Sequence, residues 1–161
     1  MKQDRFFHIL RLLHFTDNKN EPDMMDENSD RLWKMRNLFE ILNEKFSKCY
    51  SPSEHLAVDE VIGKYKVRVI FRQCIPKKHK CFGVKIYKLC DETGYMYDIA
   101  VYFGRDRQCT VQRLTATHAT LSELTKKIQG HGHKLYMDNS FSSPDLFNDL
   151  ATQQIYCCGT A

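Results

Sequence analysis

The sequence has no run of apolar residues of membrane-spanning length, which argues against a bilayer-crossing helix. Its opening residues, MKQDRFFHILRLLHF, carry an acid early and offer no small-residue cleavage site. They read as an amphipathic helix rather than a secretory leader. No glycine-rich phosphate loop and no cofactor fingerprint occurs, so a nucleotide-dependent metabolic enzyme has no support. Ser140 and Ser142 lack a nucleophile-elbow context. Seven cysteines are present, but no Cys-x-x-Cys pair and no staple-like spacing. An odd count of that kind fits a reducing compartment. His131 and His133 flank Gly132 without a matched cysteine pair, so the spacing of a zinc site is missing too. The last absence is local: residues 61–90 contain no acid at all.

What is present is enough for a folded domain. The chain has 161 residues, 42% of them hydrophobic and 27% charged, which argues for a real core and against wholesale disorder. The net charge of +4 is small, but its distribution is uneven. Residues 17–30 hold Asp17, Glu21, Asp23, Asp26, Glu27 and Asp30 against Lys19 alone. Residues 61–90 hold Lys64, Lys66, Arg68, Arg72, Lys77, Lys78, Lys80, Lys85 and Lys88. Such a run can neutralise phosphates, as a nucleic-acid surface must. The competing reading is a soluble basic hairpin.

Hydrophobic spacing divides the chain near residue 50. Phe6, Ile9, Leu10 and Leu13 predict a helix over 5–14. Met35, Leu38, Phe39, Leu42 and Phe46 predict a second over 31–46, with Asp30 at its N-cap. After Tyr50-Ser51-Pro52-Ser53 the period changes. Leu56 to Val58 reads as a strand ending in Asp59-Glu60, and Phe82 to Leu89 as another. Asp91-Glu92-Thr93-Gly94 then turns the chain into a strand over 95–103. Thr120 and Glu123 have capping-box spacing for a helix over 120–128. Lys134 to Met137 is a strand ending at Asp138, Ser143-Pro144 opens a helix, and Ile155 to Cys158 is the last strand. The expected organisation is a helical region, 1–50, ahead of a mixed domain, 51–161. Three strands able to pair antiparallel, then helix, strand, helix, strand, is the opening order of a ribonuclease H-like α/β fold. A generic α/β domain is the alternative.

Asp59 and Asp138 each follow apolar residues expected inside the sheet, so each acid projects at its rim. Neighbouring carboxylates repel, and a divalent cation relieves the repulsion. Carboxylate and water oxygens suit a hard ion such as Mg²⁺. Two ordinary strand-end acids are the alternative. Glu60, pointing the other way along the strand, is expected to pair with a base.

Several separated motifs resemble the piggyBac-like transposases. The stretch LAVDEVIGKYKVRVIFRQCIPKKHKCFGVKIYKLCDETGYMYDIAVYFG is similar to the family's first catalytic segment. The stretch HKLYMDNSFSSPDLFNDLATQQIYCCGTA is similar to its second. RLLHFTDN and DRLWKMRNLFEILNEKF resemble the helical region ahead of them. Val67 and His79 depart from the family pattern, where glycine and proline are usual.

The resemblance implies a partial DDE domain of ribonuclease H-like fold, incomplete and preceded by N-terminal helices. It also implies metal-dependent DNA cleavage and strand transfer. It matches Asp59 and Asp138 to the first two catalytic, metal-binding aspartates and assigns no residue to the third. Mg²⁺ or Mn²⁺, DNA and the nucleus follow as expected cofactor, partner and location. Lys64, Lys66, Arg68, Arg72, Lys77, Lys78, Lys80 and Lys85 are the expected nucleic-acid contacts. With two carboxylates, the isolated chain is expected to be inactive. The alternatives are a non-catalytic DNA- or protein-binding module and a structural relic. A homodimer or protein partner covering the incomplete core belongs to these expectations, and a membrane does not.

Overall fold

The computed structural model describes residues 1–23, 26, 29–64, 69, 71–74, 82–104 and 115–160. The chain divides into two compact units, Met1–Glu44 and Lys45–Ala161. In the first, helix α1 spans Gln3–Leu12, and a 3-10 turn, Asn18–Asn20, interrupts the acidic loop. Helix α2 spans Arg36–Cys49, starting five residues later than the spacing predicts. Asp30 explains the delay. Its carboxylate accepts from the Leu32 N–H at 2.9 Å and from Arg36 Nε and Nη2 at 2.8 and 2.7 Å. It therefore closes a turn ahead of the helix instead of capping it. The bond from Arg36 holds the Asp30 carboxyl below its ordinary pKa.

The second unit is built on six strands: β1 His55–Lys64, β2 Arg72–Cys74, β3 Phe82–Asp91, β4 Met96–Val101, β5 Lys134–Met137 and β6 Tyr156–Gly159. Its helices are α3, Ala116–Thr125, continued by a 3-10 turn at Lys126–Ile128, and α4, Pro144–Thr152. The strand order is β2-β3-β1-β5-β6, and β4 shares the outer edge of β3 with β2. Pairings among β1 to β4 are antiparallel, whereas β1–β5 and β5–β6 are parallel. This is the mixed α/β, ribonuclease H-like sheet that the order of elements predicts. The short strand β2 was not anticipated. Only three residues long, it carries too little pattern to read.

Alternation along the strands sorts the two faces. Leu56 and Val58 of β1, Leu89 of β3, and Leu135 and Met137 of β5 are buried on one face. Leu121, Leu124 and Ile128 from the α3 side and Leu146 and Leu150 of α4 complete that core. Each fully buried leucine contributes about 1.5–3 kcal/mol. The other face carries Ala57, Asp59, Val61, Tyr136 and Tyr156, all exposed. At the β3–β4 hairpin the Asp91 carboxylate accepts from the Thr93 and Tyr95 N–H groups at 2.9 and 3.0 Å. Gly94 there adopts φ 83°, which a side chain would disfavour.

Helix caps follow local donors rather than the predicted box. Thr115 caps α3, accepting from the His118 N–H at 3.2 Å. Thr120, the predicted cap, lies one turn inside and donates to the Ala116 carbonyl at 2.8 Å. His118 is buried, and its Nε2 lies 2.9 Å from Asp149 Oδ2. Ser143 caps α4 from its side chain, and Pro144 takes the first turn, as the motif predicts.

Candidate functional site

Asp59 lies within β1, not at its end, because β1 continues to Lys64 in antiparallel pairing with β3. What stops at Val58 is the parallel pairing with β5, whose last partners are Val58 and Met137. Asp59 and Asp138 follow those two residues. The register therefore carries them to neighbouring positions, at an interstrand spacing of about 5 Å. Val58 and Met137 are buried while both aspartates are exposed, so the acids share the face opposite the core.

Each carboxylate has a small set of partners. Asp59 Oδ1 accepts from the Glu60 N–H at 2.7 Å. Its Oδ2 lies 3.8 Å from Nζ of Lys88, the residue opposite it on β3. Asp138 Oδ1 accepts from the Asn139 N–H at 2.7 Å and from the Thr160 hydroxyl at 3.1 Å. Sequence reading did not identify Lys88 or Thr160 as neighbours of the acids. The turn at Asp91–Gly94 fixes the hairpin register and could have located Lys88. Thr160 arrives through a parallel crossover, which leaves no local signal.

Glu60 points to the core face and pairs with Lys85, Nζ to Oε2 3.1 Å, as its expected role as the partner of a base requires. The Lys85 ammonium also sits 4.8 Å from the centre of the Tyr87 ring. Burial disfavours that charge, but Tyr87 and Glu60 outweigh it and hold the lysine pKa above its ordinary value. Lys85 is thus already committed to an internal carboxylate. Lys64 and Arg72 are exposed, and the Arg72 guanidinium lies 5.3 Å from the centre of the Phe82 ring. Lys66, Arg68, Lys77, Lys78 and Lys80 fall outside the described residues. Asp98 is turned into the core with Lys127 at 2.8 Å, away from the acid pair. Burial pushes the Cys157 thiol up to about 11, so it is no nucleophile at neutral pH.

Two adjacent carboxylates fit a hard divalent cation, which is commonly held by one or two carboxylates and completes its shell with water. Among the described residues, no group of three or more His, Cys, Asp or Glu side chains is placed to hold an ion. None of the described helices is long and apolar enough to cross a membrane.

The sheet, its crossovers and the flanking helices are those of a DDE-type transposase domain. The family model described as Transposase IS4 matches residues 1–161, and the chain belongs to that family. It is 23% identical over 168 residues to the human PiggyBac transposable element-derived protein 5, covering 99% of this chain and 31% of that protein. It is also similar to the piggyBac transposase solved by cryo-EM in a synaptic complex with hairpin DNA. That likeness has a TM-score of 0.87 and 27% identity, and covers 100% of this chain and 34% of that one. The piggyBac relationship read from the motifs is borne out, and the chain spans about a third of the length of these relatives.

Proposed function

We propose that this chain forms part of a transposase catalytic core in which Asp59 and Asp138 are the catalytic carboxylates and hold Mg²⁺ or Mn²⁺ at a DNA phosphate. The Val58–Met137 register supports this most directly, because it brings two acids from distant segments to neighbouring positions on one open face. When bound, the cation would relieve their mutual repulsion, help activate a water or a DNA 3′ hydroxyl, and stabilise the leaving oxygen. The chain's own residues bind and orient. Asp59 is fixed by the antiparallel pairing of β1 with β3, where it lies opposite Lys88. Asp138 is fixed by Asn139 and Thr160. Lys64 and Arg72, with Lys66, Arg68, Lys77, Lys78 and Lys80 of the same stretch, provide cations for the DNA backbone, whereas Lys85 is held by Glu60. On this reading the protein acts in the nucleus, where it would meet a DNA substrate.

Two carboxylates alone leave the attacking group poorly positioned, and catalysis depends on geometry at the ångström scale. The isolated chain is therefore expected to bind metal and DNA without completing strand transfer. Calorimetric titration of Mg²⁺ or Mn²⁺ into the wild type, Asp59→Asn and Asp138→Asn tests the site. Binding by the wild type that both substitutions abolish supports it. A folded wild type that binds neither ion overturns it. That outcome favours a non-catalytic DNA- or protein-binding module, for which the acid-free basic stretch 61–90 speaks.

A further inference from the structure

We infer that Thr160 is a positioning residue for Asp138, its hydroxyl bridging the Asp138 carboxylate and the Asn139 amide so that the carboxylate is held ready for a cation. This role rests on the proposed metal site. The Thr160 hydroxyl donates to Asp138 Oδ1 at 3.1 Å and accepts from the Asn139 N–H at 2.9 Å. A hydroxyl has one proton, so the amide that donates to it fixes the direction in which that proton points. The Asn139 N–H and the Thr160 hydroxyl both fall on Oδ1, which leaves Oδ2 for a cation among the described residues. The Thr160 backbone is itself held, its N–H donating to the Met137 carbonyl at 3.3 Å.

The residue before it tightens the same clasp. A Cβ added to Gly159 would lie 2.1 Å from Ser142 Oγ and 3.1 Å from Phe147 Cζ. A side chain at this position would displace the Ser142 hydroxyl and press on Phe147, so glycine favours the close approach of the end of β6 to the loop that follows Asp138. The Ser142 hydroxyl in turn donates to the Asp138 carbonyl at 3.3 Å. The end of β6 thus grips the Asp138 loop at both the carboxylate and the main chain. Partners of this kind around a ligating carboxylate set its orientation, and their loss commonly costs about 10–100-fold in metal affinity.

The test is Mn²⁺ titration by calorimetry on the full chain carrying Thr160→Val, Thr160→Ser or Asp138→Asn. Amide hydrogen exchange at Asn139 is followed in parallel in metal-free buffer. Thr160→Val should weaken Mn²⁺ binding by about tenfold or more, while Thr160→Ser stays near the wild type. Asn139 exchange should accelerate in the valine variant and recover in the serine variant. Where valine disturbs β6, Thr160→Ala removes the hydroxyl with less bulk and carries the same expectation. Wild-type Mn²⁺ affinity in both hydroxyl-free variants overturns the role of Thr160 and leaves the metal site standing. A folded wild type that binds no Mn²⁺ overturns the site and this role together.

Discussion

Val58 and Met137 are the last partners of the parallel β1–β5 pairing, and an aspartate follows each of them. Like charges at neighbouring positions of a sheet destabilise it by roughly 0.2–1 kcal/mol. Neutralising Asp138 as asparagine should therefore raise the stability of the chain by that amount in chelating buffer. Saturating Mg²⁺ should reverse the order, because only the wild type gains the linkage energy of the bound ion. Paired thermal melts with and without Mg²⁺ check this. A wild type that equals the variant in chelator would show that Lys88 and Thr160 already offset the repulsion.

Asp98 makes a separate, structural prediction. Its side chain is buried, accepts from the Ile99 N–H at 2.8 Å and meets Lys127 Nζ at 2.8 Å. Burial raises its pKa, and Lys127 only partly opposes the shift. The folded carboxyl therefore holds its proton more tightly than the unfolded one. Its contribution favours the fold below the ordinary aspartate range and is lost as pH rises through the raised value. Subtracting the Asp98→Asn stability curve from that of the wild type should isolate a loss with rising pH. Lys127→Met leaves the carboxylate buried without that cation and should cost about 3 kcal/mol at neutral pH. Adding Asp98→Asn to that variant should recover part of the loss.

Gly83 and Gly63 look alike in sequence but should respond differently. A Cβ on Gly83 would lie 2.3 Å from the Gly63 carbonyl oxygen and 2.7 Å from Ile62 Cγ2. A Cβ on Gly63 finds nothing nearer than the Val84 carbonyl oxygen at 3.7 Å. Gly83→Ala should cost about 1–3 kcal/mol by forcing β1 and β3 apart. Gly63→Ala should stay within about 0.5 kcal/mol of the wild type. Urea denaturation of the two variants is the comparison.

The parts of this fold that could be read from sequence are those with local causes. The turn at Asp91–Gly94, the Ser143–Pro144 helix start and the alternation of Leu56, Val58, Leu135 and Met137 each arise from neighbours in the chain. Errors arose where a distant partner decided the outcome. Arg36 drew Asp30 into a turn ahead of α2. Thr120 satisfied its hydroxyl on the preceding turn, leaving Thr115 to cap. The two acids stood out, but as strand ends. Asp59 is instead mid-strand, made prominent because β5 stops beside it. Lys88 and Thr160 reach the acids through strand register, which no single segment encodes.

That register also separates the basic residues, which the sequence groups together. Lys64 and Arg72 are exposed, whereas Lys85 is half-buried against Glu60 and Tyr87. If the stretch binds duplex DNA, each phosphate-contacting cation adds about 0.9 to the slope of log affinity against log salt. Lys64→Gln and Arg72→Gln should each flatten that slope by about this amount with little change in stability. Lys85→Met should act the other way. It should leave the slope nearly unchanged and destabilise the fold by about 1–3 kcal/mol, because Glu60 loses its ammonium on a largely buried face. Neutralising Lys77, Lys78 and Lys80 together should flatten the slope further if they too meet phosphate. Fluorescence anisotropy across a salt series, beside urea melts of the same proteins, resolves the two behaviours. A Lys85 variant that keeps full stability but loses salt sensitivity would mean that the ammonium leaves Glu60 for the DNA backbone, making the pair a latch rather than a structural tie.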